Sequence, residues 1–424
     1  MTSPIIGYAG MTHLGLNSAV AAAAKGFKTV CYDPDQQHIA KLARNEFSVA
    51  EPELPETLKK NRHLIKLTSD LNDLSNCDIV YIAFDVPTDG LGTSELGPIE
   101  ELISQVESGL HAGAVMVILS QVPPGFTRSR LANGRSLYYQ VETLIFGQAI
   151  QRALHPERFI VGCGDPDMPL PFALTRFLES FGCPVLRMRY ESAELAKISI
   201  NMCLVASVSV SNTIAELCES IGADWSEIVP ALRLDRRIGE YSYLAPGLGI
   251  AGGNLERDLA TFCRLADQNG TDAGVVRAWV ANSLHRRDWV LRSLYNKVLR
   301  KVDDPVITIL GLAYKQDTDS TKNSPSIALL EQLEPFRVRV FDPVVPGSVA
   351  PNSRCHLAES ELEACEGSDA VAVMTSWRQF KDLDPREIAK RMRGRVVLDP
   401  YGVLNTGACR DAGLSYHTLG IADQ

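Results

Sequence analysis

One pattern occurs twice in this chain, and it limits the fold more than any other feature. A short apolar run ends on a glycine, a helical stretch follows, and a second apolar run closes on Asp-Pro. In the first copy Ile5-Ile6-Gly7-Tyr8-Ala9 ends at Gly10, residues 19–24 are alanine-rich, and Thr29-Val30-Cys31-Tyr32 stops at Asp33-Pro34. In the second, Val306-Ile307-Thr308-Ile309-Leu310 ends at Gly311, and residues 338–341 stop at Asp342-Pro343. Further unbroken apolar runs lie at 79–83, 115–119, 370–374 and 396–398. Unbroken runs suit parallel strands covered on both faces, whereas half-exposed strands alternate. Strands separated by helical stretches give βαβ units. The expected fold is therefore α/β, with two Rossmann-like, doubly wound domains joined by a helical middle.

The middle is marked by residues 192–221, which hold no Gly or Pro. At 1.5 Å per residue this predicts a helix of about 45 Å, capped by Ser192 and ended by Gly222. Asp224 with Glu227 predicts the start of the next helix, and residues 274–300 form another helical stretch. At 424 residues the chain is long enough for several buried cores without staples. A net charge of −9 excludes the basic face that nucleic acid requires. No unbroken apolar run approaches the roughly 18 residues of a membrane span, and no leader precedes the first strand, so a cytoplasmic address without membrane contact is expected. Ten cysteines are scattered singly with no CxxC, which predicts neither a zinc site nor a disulfide framework.

Gly10-Met11-Thr12-His13-Leu14-Gly15 stands where the first strand turns into a helix. The spacing is that of GxGxxG, with Thr12 in the second glycine's place. The first glycine makes the tight turn, the second lets the backbone approach a pyrophosphate, and the third lets helix and strand pack closely. Thr12 adds a Cβ at that approach, so the phosphates are expected further out or bound through the hydroxyl. Asp33, 23 residues beyond Gly10, ends the next strand and is placed to accept a ribose hydroxyl, which favours NAD over NADP. His13 is expected beside the phosphates.

Further segments make the chain resemble the UDP-glucose/GDP-mannose dehydrogenase family over nearly its whole length. Ser120-Gln121-Val122-Pro123-Pro124-Gly125 is similar to the family's Ser-Thr-Val-Pro-Pro-Gly, with Gln121 at the catalytic threonine. Val141-Glu142-Thr143-Leu144 resembles Pro-Glu-Phe-Leu, with Glu142 at the general acid/base position. Pro156-Glu157-Arg158-Phe159-Ile160-Val161-Gly162 anchors that register. Glu194-Leu195-Ala196-Lys197 is followed by Asn201, four residues on and so on the same helix face. Pro246-Gly247-Leu248-Gly249-Ile250-Ala251-Gly252-Gly253-Asn254-Leu255-Glu256-Arg257-Asp258 resembles Pro-Gly-x-Gly-Phe-Gly-Gly-Ser-Cys-Phe-Pro-Lys-Asp. The nucleophilic cysteine falls on Asn254, while Asp258 keeps the aspartate. Near the C-terminus, Gly311-Leu312-Ala313-Tyr314-Lys315, Thr318-Asp319, Ser324-Pro325, Thr375-Ser376-Trp377 and Phe380 match family segments. Lys322 stands at a usual arginine, and Tyr401 stands where a substrate-binding arginine is expected.

The resemblance implies an NAD domain at 1–187, a central helical domain that forms a homodimer at 188–300, and a nucleotide-sugar domain at 301–424. It implies NAD against Gly10, Thr12, His13, Leu14, Gly15, Asp33, Pro87, Thr88, Ser120 and Lys322. It implies a UDP- or GDP-linked sugar against Gly249, Gly252, Gly253, Lys315 and Tyr401, between the 246–258 loop, the Lys197 helix and the C-terminal domain. The catalytic set it implies is Lys197, Asn201, Asn254, Asp258, Glu142 and Gln121, with no metal. The family oxidises a primary alcohol to a carboxylate with two NAD, and its second step passes through a cysteine thiohemiacetal. An asparagine amide nitrogen is no comparable nucleophile, because its lone pair is delocalised. Cys263, nine residues on, lies beyond Asp258 in an expected helix. Three readings stay open: a nucleotide-sugar oxidoreductase that stops at the aldehyde or re-reduces it, a four-electron dehydrogenase working through the aldehyde hydrate, and a catalytically inactive nucleotide-sugar-binding or regulatory protein.

Overall fold

A computed structural model describes residues 3–47, 51–89, 92–131, 136–351 and 354–422. The chain forms two compact units, 1–200 and 201–424.

The first unit is built on an eight-stranded sheet. Its strands are β1 (Ile6–Ala9), β2 (Thr29–Tyr32), β3 (Ile65–Thr68), β4 (Ile79–Ile82), β5 (Val115–Ile118), β6 (Leu137–Gln140), β7 (Phe159–Cys163) and β8 (Val185–Arg189). They lie in the order β3-β2-β1-β4-β5-β6-β7-β8. Neighbours run parallel except β6 and β7, which are antiparallel. The apolar runs become fully buried strands because helices cover both faces. Ile6 and Tyr8 enter one core with Leu14, Ala19 and Phe177, while Ala9 enters the opposite core with Val30, Ile82 and Ile99. That division follows from the two-residue period of a strand. The order reverses between β1 and β4, which face each other in register with Tyr8 stacked on Tyr81 at 5.0 Å. Ligands of open α/β sheets bind beyond the strand ends at such a reversal.

The long helix spans Tyr190–Ile221 and follows β8 directly. The expectation that Ser192 caps it is therefore corrected: Tyr190 is already helical and buried, and its hydroxyl donates to the Leu137 carbonyl at 2.5 Å. Gly222 ends the helix at φ +81°. By length and composition this helix is apolar enough to cross a membrane. A count of unbroken apolar runs misses it because Ser, Asn and Thr interrupt the pattern. Two of its buried polar residues bond within the second unit: Ser211 donates to the Tyr243 carbonyl at 3.3 Å, and Asn212 accepts from the Gly247 N–H at 2.8 Å.

The second unit joins helices to a six-stranded sheet. Asp224 caps the helix Trp225–Leu234 by accepting from the Ser226 N–H, as its sequence predicts. The helices Asn254–Asn269 and Gly274–Arg287 follow; the second stops at Asp288, so the expected stretch 274–300 is broken into shorter pieces. The strands β9 (Val306–Leu310), β10 (Arg337–Phe341), β11 (Cys355–Leu357), β12 (Ala370–Val373), β13 (Val396–Leu398) and β14 (Ser415–His417) are all parallel, in the order β11-β10-β9-β12-β13-β14. The order again reverses after the first strand's glycine, so the repeated sequence pattern is a repeated fold. The chain end is fastened to the helices: Gly420 accepts from the Trp225 N–H at 2.9 Å and donates to Glu219 at 2.9 Å.

Candidate active site

In the first unit the GxGxxG-type loop joins β1 to the helix His13–Ala24. Gly10 has φ +92°, and its N–H donates to the Tyr32 carbonyl at 2.9 Å. A Cβ on Gly15 would lie 1.9 Å from the Gly10 carbonyl oxygen, so only glycine lets the helix start this close to the strand. The helix end that results presents backbone N–H groups and a partial positive charge, which suits a pyrophosphate. Asp33 accepts from the Met11 N–H at 2.8 Å and the Asp35 N–H at 3.0 Å. Those two bonds hold the carboxylate at the end of β2 and leave it lone pairs for further donors. The residues present thus fit a dinucleotide.

Of the two expectations for Thr12, phosphates held further out or bound through the hydroxyl, its hydrogen bonds favour the first. Its hydroxyl donates to the Ala83 carbonyl at 3.3 Å and accepts from the Asp85 N–H at 3.0 Å, so it is spent on tying the loop to the end of β4. His13 is the first helical residue; its Nε2 lies 2.7 Å from Glu51, and its ring stacks on Phe146 at 4.3 Å. Glu51 is buried and also accepts from the Gly147 and Ala149 N–H groups. Ser120 is fully buried, and its hydroxyl donates to the Ile82 carbonyl at 3.2 Å, which makes it a brace between β4 and β5. Pro87 accepts from the Glu95 N–H, and Thr88 bridges to Ser94.

Lys197 and Glu142 meet: Nζ lies 3.3 Å from Oε2, with both side chains mostly buried. The other Glu142 oxygen accepts from the Leu144 N–H at 2.6 Å. The 120–125 segment, which carries Gln121, is held by Glu194, whose carboxylate accepts from the Gly125 N–H at 2.6 Å and the Thr127 N–H at 2.8 Å. Burial pushes the Glu194 carboxyl above its ordinary range, against those hydrogen bonds.

In the second unit Asn201 donates to Asp258 at 2.5 Å, with both residues buried. Arg257, also buried, places Nε 3.4 Å from the other Asp258 oxygen. Asn254 opens the helix Asn254–Asn269 and is exposed. Gly249 faces inward, against Ser283, whose hydroxyl accepts from the Ile250 N–H at 2.7 Å. Gly252 packs on Tyr314 and Gly253 on the Lys322 side chain. Asn323 donates to the Gly252 carbonyl at 2.9 Å and to Glu256. The Lys315 ammonium lies 5.8 Å from the Tyr314 ring centroid. The Tyr401 phenol is pushed up to about 12 by burial, and it hydrogen-bonds to the Leu248 backbone. The 246–258 loop is therefore seated on Tyr314, Lys322, Asn323 and Tyr401. Among the described residues no cluster of His, Cys, Asp and Glu suits a metal ion.

Family models describe three successive stretches of this chain: an NAD-binding domain over 5–170, a central domain over 191–283 and a UDP-binding domain over 308–406, all of one family. The chain belongs to the UDP-glucose/GDP-mannose dehydrogenase family. This is a family of NAD-dependent nucleotide-sugar dehydrogenases, and NAD is the cofactor. The UDP-glucose 6-dehydrogenase of Rickettsia conorii is 26% identical over 98% of this chain and 99% of its own length. The UDP-glucose 6-dehydrogenase of Pseudomonas aeruginosa is 28% identical over 97% and 96%. The structure of a UDP-D-ManNAc dehydrogenase from Pyrococcus horikoshii shares the fold, with a TM-score of 0.85 over 99% of this chain and 100% of that one, at 24% identity. Asp85, Glu51 and Asn323 are site residues that motif spacing does not reveal. Glu194 lies inside a motif, but its function as a loop anchor shows only in three dimensions.

Proposed function

We propose that this dehydrogenase-family protein oxidises the primary alcohol of a UDP- or GDP-linked sugar to the aldehyde, without a covalent cysteine step. The observation that carries the reading is the coexistence of two paired sets, Lys197 with Glu142 and Asn201 with Asp258, alongside an exposed asparagine at residue 254. Bound NAD supplies the hydride acceptor. Glu142 takes the hydroxyl proton as base. The Lys197 ammonium and the Asn201 amide stabilise the developing alkoxide, and Asp258 orients Asn201. Alcohol plus oxidised cofactor gives aldehyde, reduced cofactor and one proton, so the step balances. A second oxidation requires a tetrahedral adduct; a thiolate forms one readily, whereas the Asn254 amide does not.

The named relatives support a UDP-linked substrate class, and the 246–258 loop with Lys315 and Tyr401 is the proposed sugar-nucleotide site. The division 1–187, 188–300 and 301–424 is proposed for cofactor, helical and nucleotide-sugar functions. A homodimer through the long helix is proposed as well, supported by Val210, Leu217 and Ile221, which are 54%, 55% and 66% exposed at helical spacing. The test is NADH formation across a panel of UDP- and GDP-sugars, with a thermal-shift screen run in parallel. At least one sugar should both bind and reduce NAD. Tight binding with no absorbance change across the panel contradicts the enzyme reading and favours a binding protein.

A further inference from the structure

The dinucleotide loop holds a carboxylate of its own. The chain leaving β4 passes through Phe84 to Asp85, and the Asp85 side chain turns onto the first helix, where Oδ2 accepts from the Leu14 N–H at 3.1 Å. Leu14 is the last residue before the closing glycine of the GxGxxG-type loop, so its N–H belongs to the first helical turn. The Asp85 backbone is fixed in the same place by its N–H···Oγ1 bond to Thr12 at 3.0 Å. Thr12 in turn donates to the Ala83 carbonyl. The residue that replaces the second glycine thus builds the socket, and the carboxylate fills it.

A carboxylate is well placed at this helix end. Burial, the largest influence, pushes the Asp85 carboxyl above the ordinary range, and the Leu14 N–H, the bond to Thr12 and His13 beside it act against that rise at the positive end of the helix dipole. A pyrophosphate is drawn to the same groups for the same reasons. One N–H does not serve two anions, and two anions held at one helix end repel each other. We propose that Asp85 is an internal competitor for the pyrophosphate of NAD, seated by Thr12, so that NAD binds by displacing the carboxylate and wild-type affinity is correspondingly weak. The proposal rests on NAD as the family's cofactor.

The test is calorimetric titration of wild type, Asp85→Ala and Asp85→Asn with NAD, ADP-ribose and adenosine. Asp85→Ala should bind NAD and ADP-ribose at least about tenfold more tightly than wild type, and Asp85→Asn should gain in the same direction. Adenosine, which has no phosphate, should bind all three within about twofold. Thermal unfolding verifies that each variant is folded; Asp85→Asn keeps the shape and the acceptor, so it carries the test if Asp85→Ala does not fold. NAD affinity unchanged or weakened in a folded variant overturns the proposal, as does an equal gain for adenosine. Failure of all three proteins to bind either NAD or adenosine overturns the cofactor site itself, a distinct result.

Discussion

Asp33 does two jobs at the scale of single residues. Its carboxylate ties down the Met11 N–H of the glycine loop and offers acceptors at the end of β2. Asp33→Ala is expected to weaken NAD binding about tenfold or more, read by titration of the purified protein. Unchanged affinity would remove Asp33 from the cofactor site. Much of the site at this scale was legible because its groups follow one another along a single stretch of chain. Gly10, Gly15 and Asp33 are fixed by strand-turn-helix spacing, and Lys197 and Asn201 by one helical turn. What escaped depends on partners far apart in sequence. Leu14 and Asp85 are 71 residues apart, and His13 and Glu51 are 38 apart. The partners of the Thr12 hydroxyl, Ala83 and Asp85, are likewise more than 70 residues away and leave no local signal.

At the scale of elements, the unbroken apolar runs became strands because turn chemistry bounds them on both sides. The elements that were missed carry weaker signals. Strand β8, Val185–Arg189, carries Arg187 and Arg189 and stays partly exposed, so it lacks the look of a buried strand. It also feeds straight into the long helix, which removes the need for a cap at Ser192. In the second sheet, Asp369 shows how one side chain fastens elements together. It accepts from the Val306 N–H at 2.9 Å, at the start of β9, and from Arg393 Nε at 2.8 Å. Burial alone would raise its pKa. The Arg393 hydrogen bonds, the Val306 N–H and the charges of Arg393 and Arg337 outweigh burial and hold the carboxyl below its ordinary range. A depressed folded pKa means that the contribution is fully present above the unfolded value, near pH 4, and is lost as pH falls through the folded value. Asp369→Asn should therefore cost about 1–3 kcal/mol at pH 7, read by urea titration, and the gap to wild type should close in acid. A gap that persists or widens in acid would contradict this assignment.

At the scale of the whole molecule, two copies of one fold have divided the work. Gly10 and Gly311 both have positive φ, and each donates its N–H to the carbonyl at the end of the neighbouring strand. Asp33 and Asp342 hold equivalent places, yet their engagement differs. Asp342 accepts from the Leu312, Ala313, Val344 and Val345 N–H groups and from Trp377 Nε1. Five donors leave that carboxylate little capacity for a ribose, so the second fold is closed to a dinucleotide read in the way the first one reads it. This agrees with its match to a UDP-binding domain rather than an NAD-binding one. The two-copy architecture was legible from the repeated strand, glycine and Asp-Pro pattern. The difference in use was not, because Trp377 is 35 residues from Asp342. The proposed chemistry is a two-electron oxidation that, without a thiol at residue 254, ends at the aldehyde. The direct measurement is the amount of NADH formed per nucleotide sugar consumed, with an amine trap for aldehyde. One NADH and a trapped aldehyde are expected; two NADH with a sugar carboxylate as product would overturn the two-electron proposal.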